Sequence, residues 1–100
     1  MKEITVQELK QLQDSGEDFQ LIDVREPAEF EEANLKGELI PLGTVLANES
    51  KIAKDKKVVV HCRSGKRSAT AILQLETSFG HEQLYNLKGG ILAYIDEYGL

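Results

Sequence analysis

The chain predicts an α/β fold on a mostly parallel sheet, and three observations carry that reading. β-like runs alternate with stretches of helical periodicity from end to end. One run, Val58-Val59-Val60-His61, is continuously apolar and β-branched before its last residue, as expected of a strand covered on both faces. Three strand-like runs lead into loops that carry chemistry: Asp23-Val24-Arg25, the segment after Cys62, and Gly89-Gly90. In parallel sheets ligands sit at the carboxyl ends of the strands, so these loops are expected to converge on one edge. The 100 residues contain no repeat, low-complexity segment or linker, and residues 1–100 are expected to form one domain.

In chain order, Ile4-Thr5 opens as a short β-like piece. Thr5 is placed to cap a helix, with Glu8 three residues on as its capping-box partner. Val6, Leu9 and Leu12 supply the apolar stripe, and Gly16 ends it. Residues 19–24 read as a strand that ends in charge. Pro27 suits the first turn of a short helix through Phe30 and Glu32. Leu39-Ile40 reads as a brief strand, after which Pro41 and Gly43 turn the chain into a helical stretch around Val45 and Leu46. Residues 51–57 read as a solvated basic run.

After the strand 58–61, residues 68–79 have helical spacing, with Ile72, Leu75 and Phe79 on one face and Gly80 as the stop. Residues 83–85 read as a short strand, Leu87-Lys88-Gly89-Gly90 as a turn, and residues 91–98 as the last helix. His61 is expected to be a packed strand-end residue. Adjacent strand residues point to opposite faces, which argues against its serving as a base for Cys62. His81, in a turn, is given no role. Tyr85 and Tyr94 read as core residues with a polar tip.

Composition narrows the function. No run approaches the roughly 18 apolar residues of a membrane helix. The N-terminus has no signal-type apolar stretch, so the expected address is cytoplasmic. The net charge of −5 is uneven: residues 1–50 carry 4 basic and 12 acidic residues, and residues 51–100 carry 8 basic and 5 acidic. Arg63, Lys66 and Arg67 gather within five residues of Cys62, the only cysteine. That favours a small anionic substrate. No extended basic face speaks for nucleic acid. A lone cysteine excludes an internal disulfide, a CxxC redox pair and a Cys-rich zinc site, and no cofactor or metal is called for.

Cys62 stands between a strand and a helix N-terminus, where backbone N–H groups lack intrahelical partners and the dipole is positive. Helix ends and nearby cations lower a thiol's pKa and make it a nucleophile. Gly65 lets the backbone turn, so that successive N–H groups can form an anion nest. Arg67 offers a planar fork, with Arg63 and Lys66 as added attraction. Three chemistries suit this arrangement: sulfur transfer through a persulfide, phosphate-monoester hydrolysis, and anion binding without turnover. Cysteine-dependent phosphatases place five residues between cysteine and arginine. Here four separate Cys62 from Arg67, a tighter cradle that suits a sulfane sulfur.

The segment Cys62-Arg63-Ser64-Gly65-Lys66-Arg67-Ser68 resembles the CRxGxRS loop of single-domain rhodaneses. Leu21-Ile22-Asp23-Val24-Arg25-Glu26 with Glu29-Phe30, and Leu87-Lys88-Gly89-Gly90, resemble two further motifs of that sulfurtransferase family. The resemblance implies a five-stranded sheet in the order 1-5-4-2-3 with helices on both faces. It implies Cys62 as the sulfur carrier, and Arg63, Ser64, Gly65, Lys66 and Arg67 as the substrate-binding loop. Asp23, Arg25 and Ser68 are expected to support it, the first two by bonding each other and loop backbone. The expected activity moves sulfur from thiosulfate or a persulfide donor to a thiol or cyanide, on a small molecule or a partner protein. The alternative is a carrier module loaded by a partner protein. Two positions depart from the family's motifs: Asn34 where a histidine is frequent, and Tyr94 where a tryptophan is frequent.

Overall fold

A computed structural model describes residues 1–100. Five strands form one sheet: β1 (Glu3–Ile4), β2 (Gln20–Asp23), β3 (Glu38–Leu39), β4 (Val58–His61) and β5 (Leu84–Leu87). Their order is β1-β5-β4-β2-β3 and every pairing is parallel. Three helices connect strands, α1 (Val6–Ser15), α2 (Pro27–Glu32) and α3 (Lys66–Phe79), and a fourth, α4 (Gly90–Tyr98), follows β5.

β4 is the central strand, and its four residues are all buried. Because side chains alternate along a strand, Val58 and Val60 pack with Ala71, Ile72 and Leu75 of α3. Val59 packs on the other face with Leu9 of α1 and Ile91 and Tyr94 of α4. α1 starts as its sequence implies. The Glu8 N–H donates to Thr5 Oγ1 at 3.1 Å, and the Thr5 N–H donates to the Glu8 carboxylate at 2.9 Å. Such a cap stabilises a helix by about 1 kcal/mol. Gly16, at φ 71°, closes it.

Several elements differ from the sequence reading. α3 begins at Lys66, two residues earlier than expected, because Gly65 caps it directly. Phe79, the last residue of α3, is 40% exposed and does not share the buried face of Ile72 and Leu75. β5 runs to Leu87, because Asn86 and Leu87 find partners in Glu3 and Ile4 of β1. The stretch around Val45 and Leu46 is not an α-helix; 3₁₀ turns occupy Leu42–Thr44 and Glu49–Lys51. The basic run 51–57 is not wholly solvated. Ile52 is buried, and the Ala53 N–H donates to Gln20 Oε1 at 2.8 Å. His81 is likewise buried, with Nε2 2.7 Å from Glu49 Oε2. No helix is long and apolar enough to cross a membrane.

Candidate active site

β4 delivers Cys62 to the carboxyl edge of the sheet, where the residue is only 1% exposed. The loop above it is open: Arg63, Ser64 and Lys66 are exposed. Gly65 has φ 113°, in the left-handed region that a side chain strains to occupy. There its N–H turns back and donates to Cys62 Sγ at 3.1 Å. Ser68, buried in the first turn of α3, sets Oγ 3.4 Å from the same sulfur.

The loop is held from the far side by α4. The Ile91 N–H donates to the Cys62 carbonyl at 3.0 Å and the Leu92 N–H to the Arg63 carbonyl at 3.2 Å. Gly90 makes this approach possible. At φ 60°, a Cβ on it would lie 2.7 Å from the Cys62 carbonyl oxygen. The loop after β2, the Cys62 loop and the Gly89-Gly90 turn thus meet at one edge, as strand order and parallel pairing require.

Opposing effects act on the thiol. Burial pushes its pKa up; the Ser68 hydroxyl and the N–H groups of Ser68, Gly65 and Ser64 pull it down and prevail, so it lies below the usual thiol value. The sequence attributes that lowering to cations as well as the helix end; here the hydrogen-bond donors of the loop lead it, and the Arg67 charge interacts with the thiolate as well. His61 is buried on the strand, with Nδ1 3.3 Å from the Cys62 carbonyl and Nε2 3.7 Å from Asp23 Oδ2. Burial foremost lowers its pKa, so the ring is neutral and addresses the backbone of Cys62, not the sulfur.

The three cations divide. Arg63 and Lys66 form no ion pair, whereas Arg67 grips Glu29 with both prongs, Nη1 to Oε1 at 2.7 Å and Nη2 to Oε2 at 2.9 Å. The fork that the sequence offers to a substrate oxyanion is therefore engaged by the first turn of α2. Asp23 and Arg25 form a buried pair: Arg25 Nη2 donates to Asp23 Oδ2 at 2.8 Å and to the Ala33 carbonyl at 2.8 Å, and the Arg25 N–H donates to Asp23 Oδ1 at 2.9 Å. They tie the end of β2 to the end of α2. Beside the loop lies a cleft of about 310 Å³, lined among others by Arg25, Glu29, Arg63, Leu92 and Ile95.

The family model described as Rhodanese-like domain matches residues 5–97. The chain belongs to the rhodanese-like domain family. A protein named "Sulfurtransferase" from Allochromatium vinosum is 37% identical over 95 residues, covering 94% of this chain and 88% of that protein. The "Probable adenylyltransferase/sulfurtransferase MoeZ" of Mycobacterium tuberculosis is 36% identical over 94 residues; the match covers 91% of this chain but 24% of MoeZ. Among solved structures, the rhodanese-like domain protein from Staphylococcus aureus superposes with a TM-score of 0.85 at 32% identity, over 94% of this chain and 91% of the other.

Within this rhodanese-like domain, the two departures from the family motifs do not touch Cys62. Tyr94 is buried against α1, its hydroxyl donating to Gln13 Oε1 at 2.8 Å. Asn34 donates to the Phe30 carbonyl and accepts the Lys36 N–H at 2.8 Å, supporting Lys36 at φ 63°. Sequence reasoning gave no part in the site to Asn86, whose Oδ1 accepts the Ser68 hydroxyl at 2.6 Å. Its one signal was a polar residue interrupting Leu84-Tyr85-Asn86-Leu87. Glu29 is marked in sequence only as part of the Glu29-Phe30 motif; its pairing with Arg67 has no signal, because that partner lies 38 residues away.

Proposed function

We propose that this rhodanese-like domain is a sulfurtransferase in which Cys62 carries the sulfur as a persulfide. The observation that supports this most directly is the Cys62 thiol at the N-terminus of α3, with the Gly65 N–H 3.1 Å from Sγ and a lowered pKa. A thiolate so held is a nucleophile at neutral pH. The Cys62 thiolate attacks the outer sulfur of a sulfane donor. With thiosulfate, the new S–S bond forms as the donor's S–S bond breaks, and sulfite departs with the bonding pair. The charge passes to the outer sulfur of Cys62, beside the N-terminus of α3, whose positive dipole end favours it. Arg63 and Lys66, free of ion pairs, attract the anionic donor; Arg67 is already balanced by Glu29.

No second cysteine exists to take the sulfur. An external thiolate or cyanide therefore attacks the outer sulfur and restores the Cys62 thiolate. Asp23, Arg25 and Ser68 support the site, the first two by joining β2 to α2 and Ser68 from beside the sulfur. The exposed Leu92 and Ile95 beside Arg63 favour a second reading, in which a partner protein docks there and exchanges the sulfur.

Intact mass after incubation with thiosulfate tests the first reading. Wild type is expected to gain one sulfur atom, lost again on adding cyanide, and Cys62→Ser to gain none. Equal gain by Cys62→Ser would overturn it. Loading by a protein persulfide but not by thiosulfate would select the carrier reading.

A further inference from the structure

Asn86 lies within β5, on the face turned towards α3. Leu84, two residues earlier, packs among Val58, Val60, Ile72 and Leu75, while Tyr85 and Leu87 pack on the opposite face. Asn86 is 6% exposed and bridges the two parts of the Cys62 loop. Its Nδ2 donates to the Gly65 carbonyl at 3.1 Å and its Oδ1 accepts from the Ser68 hydroxyl at 2.6 Å. The amide is held this way round, because turning it would set Oδ1 against the Gly65 carbonyl oxygen, two acceptors with no proton between them.

Ser68 has one hydroxyl proton and two neighbours that take it: Asn86 Oδ1 at 2.6 Å and Cys62 Sγ at 3.4 Å. With a neutral thiol the chain is complete, since S–H donates to Ser68 Oγ and Ser68 donates to Asn86. A thiolate has no proton to give. For Ser68 to donate to it, the hydroxyl must leave Asn86, and two oxygens then face each other in a buried site without a proton. Leaving a buried acceptor unsatisfied is costly.

We infer that Asn86 is a positioning residue that competes with the Cys62 thiolate for the single proton of Ser68. The free thiolate is thereby held short of its full stabilisation. In the persulfide the charge sits on the outer sulfur, and Sγ no longer needs the Ser68 proton. The contest ends on loading, so Asn86 biases Cys62 towards the sulfur-loaded form. That consequence rests on the proposed function; the contest for the proton does not.

The other groups around Cys62 stay constant in a test at Asn86. They are Arg67 with Glu29 from α3 and α2, Arg63 and Lys66 in the loop, neutral His61 from β4, and the Asp23–Arg25 pair at the end of β2. From α4 the Ile91 N–H meets the Cys62 carbonyl.

The experiment is the rate of iodoacetamide alkylation against pH on the full chain, where the lone cysteine makes the readout unambiguous. Asn86→Leu removes the competing acceptor. Its midpoint is expected to fall by about one pH unit, roughly tenfold more thiolate at a pH below both midpoints. In a Ser68→Ala background the same substitution is expected to leave the midpoint unmoved, because the contested proton is gone. Asn86→Asp keeps an acceptor at Ser68 and is expected to raise the midpoint. The charge of Asp adds to that rise; both single variants lose the bond to the Gly65 carbonyl, and a shift caused by a displaced loop would persist in the Ser68→Ala background, where the contest predicts none. A midpoint that stays or rises in Asn86→Leu, an equal shift without Ser68, or a common direction for both variants overturns the inference. Should the leucine variant not fold, Asn86→Ala carries the same expectation. Failure of thiosulfate to load Cys62 would sink the proposed function and leave this titration result standing.

Discussion

Arg67 and Glu29 close a two-pronged ion pair across the mouth of the site, joining the first turn of α3 to the first turn of α2. The pair holds the Glu29 carboxyl down to about 2, through the Arg67 hydrogen bond first and the Glu26 N–H second. A carboxyl depressed below its unfolded value adds stability above that value and loses it as pH falls towards the folded one. Wild type is therefore expected to exceed Glu29→Gln in stability at pH 7 by less than about 1 kcal/mol, since the pair is partly exposed. The gap should narrow between pH 4.5 and about 2, which urea unfolding at several pH values reads directly. A gap that widens on acidification would show that Glu29 contributes in some other way.

The Cys62 thiol is expected to titrate below the free-cysteine value of about 8.5. Its thiolate fraction then rises with pH and levels off above the lowered midpoint. Because hydrogen bonds lower it, Ser68→Ala should raise the midpoint while leaving the loop cations in place. Thiolate absorbance followed through a pH series checks both. A Ser68→Ala midpoint equal to or below wild type would show that the Ser68 hydroxyl has no share in the lowering and leave it to the loop N–H groups and the cations.

Gly90→Ala places a methyl group against the Cys62 and Arg63 carbonyls, on a backbone with φ 60°. The α4 N-terminus must retreat, and the Ile91–Cys62 hydrogen bond is lost. A destabilisation of about 2 kcal/mol or more is expected, with slower sulfur loading. Thermal unfolding and mass spectrometry of the loaded protein measure the two effects. Wild-type values in both would show that the loop accommodates the methyl group.

Loop length is expected to decide the substrate. One residue inserted between Cys62 and Arg67 moves the Gly65 N–H off Sγ while keeping every cation. Displacements of about 1 Å at a reacting centre can cost roughly a hundredfold, so sulfur loading should drop by at least that factor. Wild type should show no hydrolysis of aryl phosphates. Paired assays with thiosulfate and an aryl phosphate decide it: unchanged loading in the longer loop would remove the geometric argument, and phosphatase turnover by wild type would overturn the assignment to sulfur transfer.

Much of this was legible in one dimension because it is local. Thr5 and Glu8 are three residues apart, Gly65 is three from Cys62, and the apolar run of β4 declares its own burial. Such features depend on backbone geometry within a turn or two, which residue types dictate. The partners of Arg67, Ser68 and His81 are different in kind. Glu29, Asn86 and Glu49 reach them only after the chain has crossed the sheet and folded helices onto it. Arg67 reads as an open anion fork until α2 and α3 are set side by side. Asn86 reads as a blemish in a strand until β5 passes beneath the first turn of α3. Gly90 reads as part of a turn until α4 is laid against the Cys62 carbonyl. The sequence by itself determined the α/β order of the chain and singled out Cys62, with the loop that cradles it, as the candidate nucleophile. Only the tertiary structure decided which charges stay free and which side chain contends for the Ser68 proton, because packing sets the distances between residues far apart in sequence.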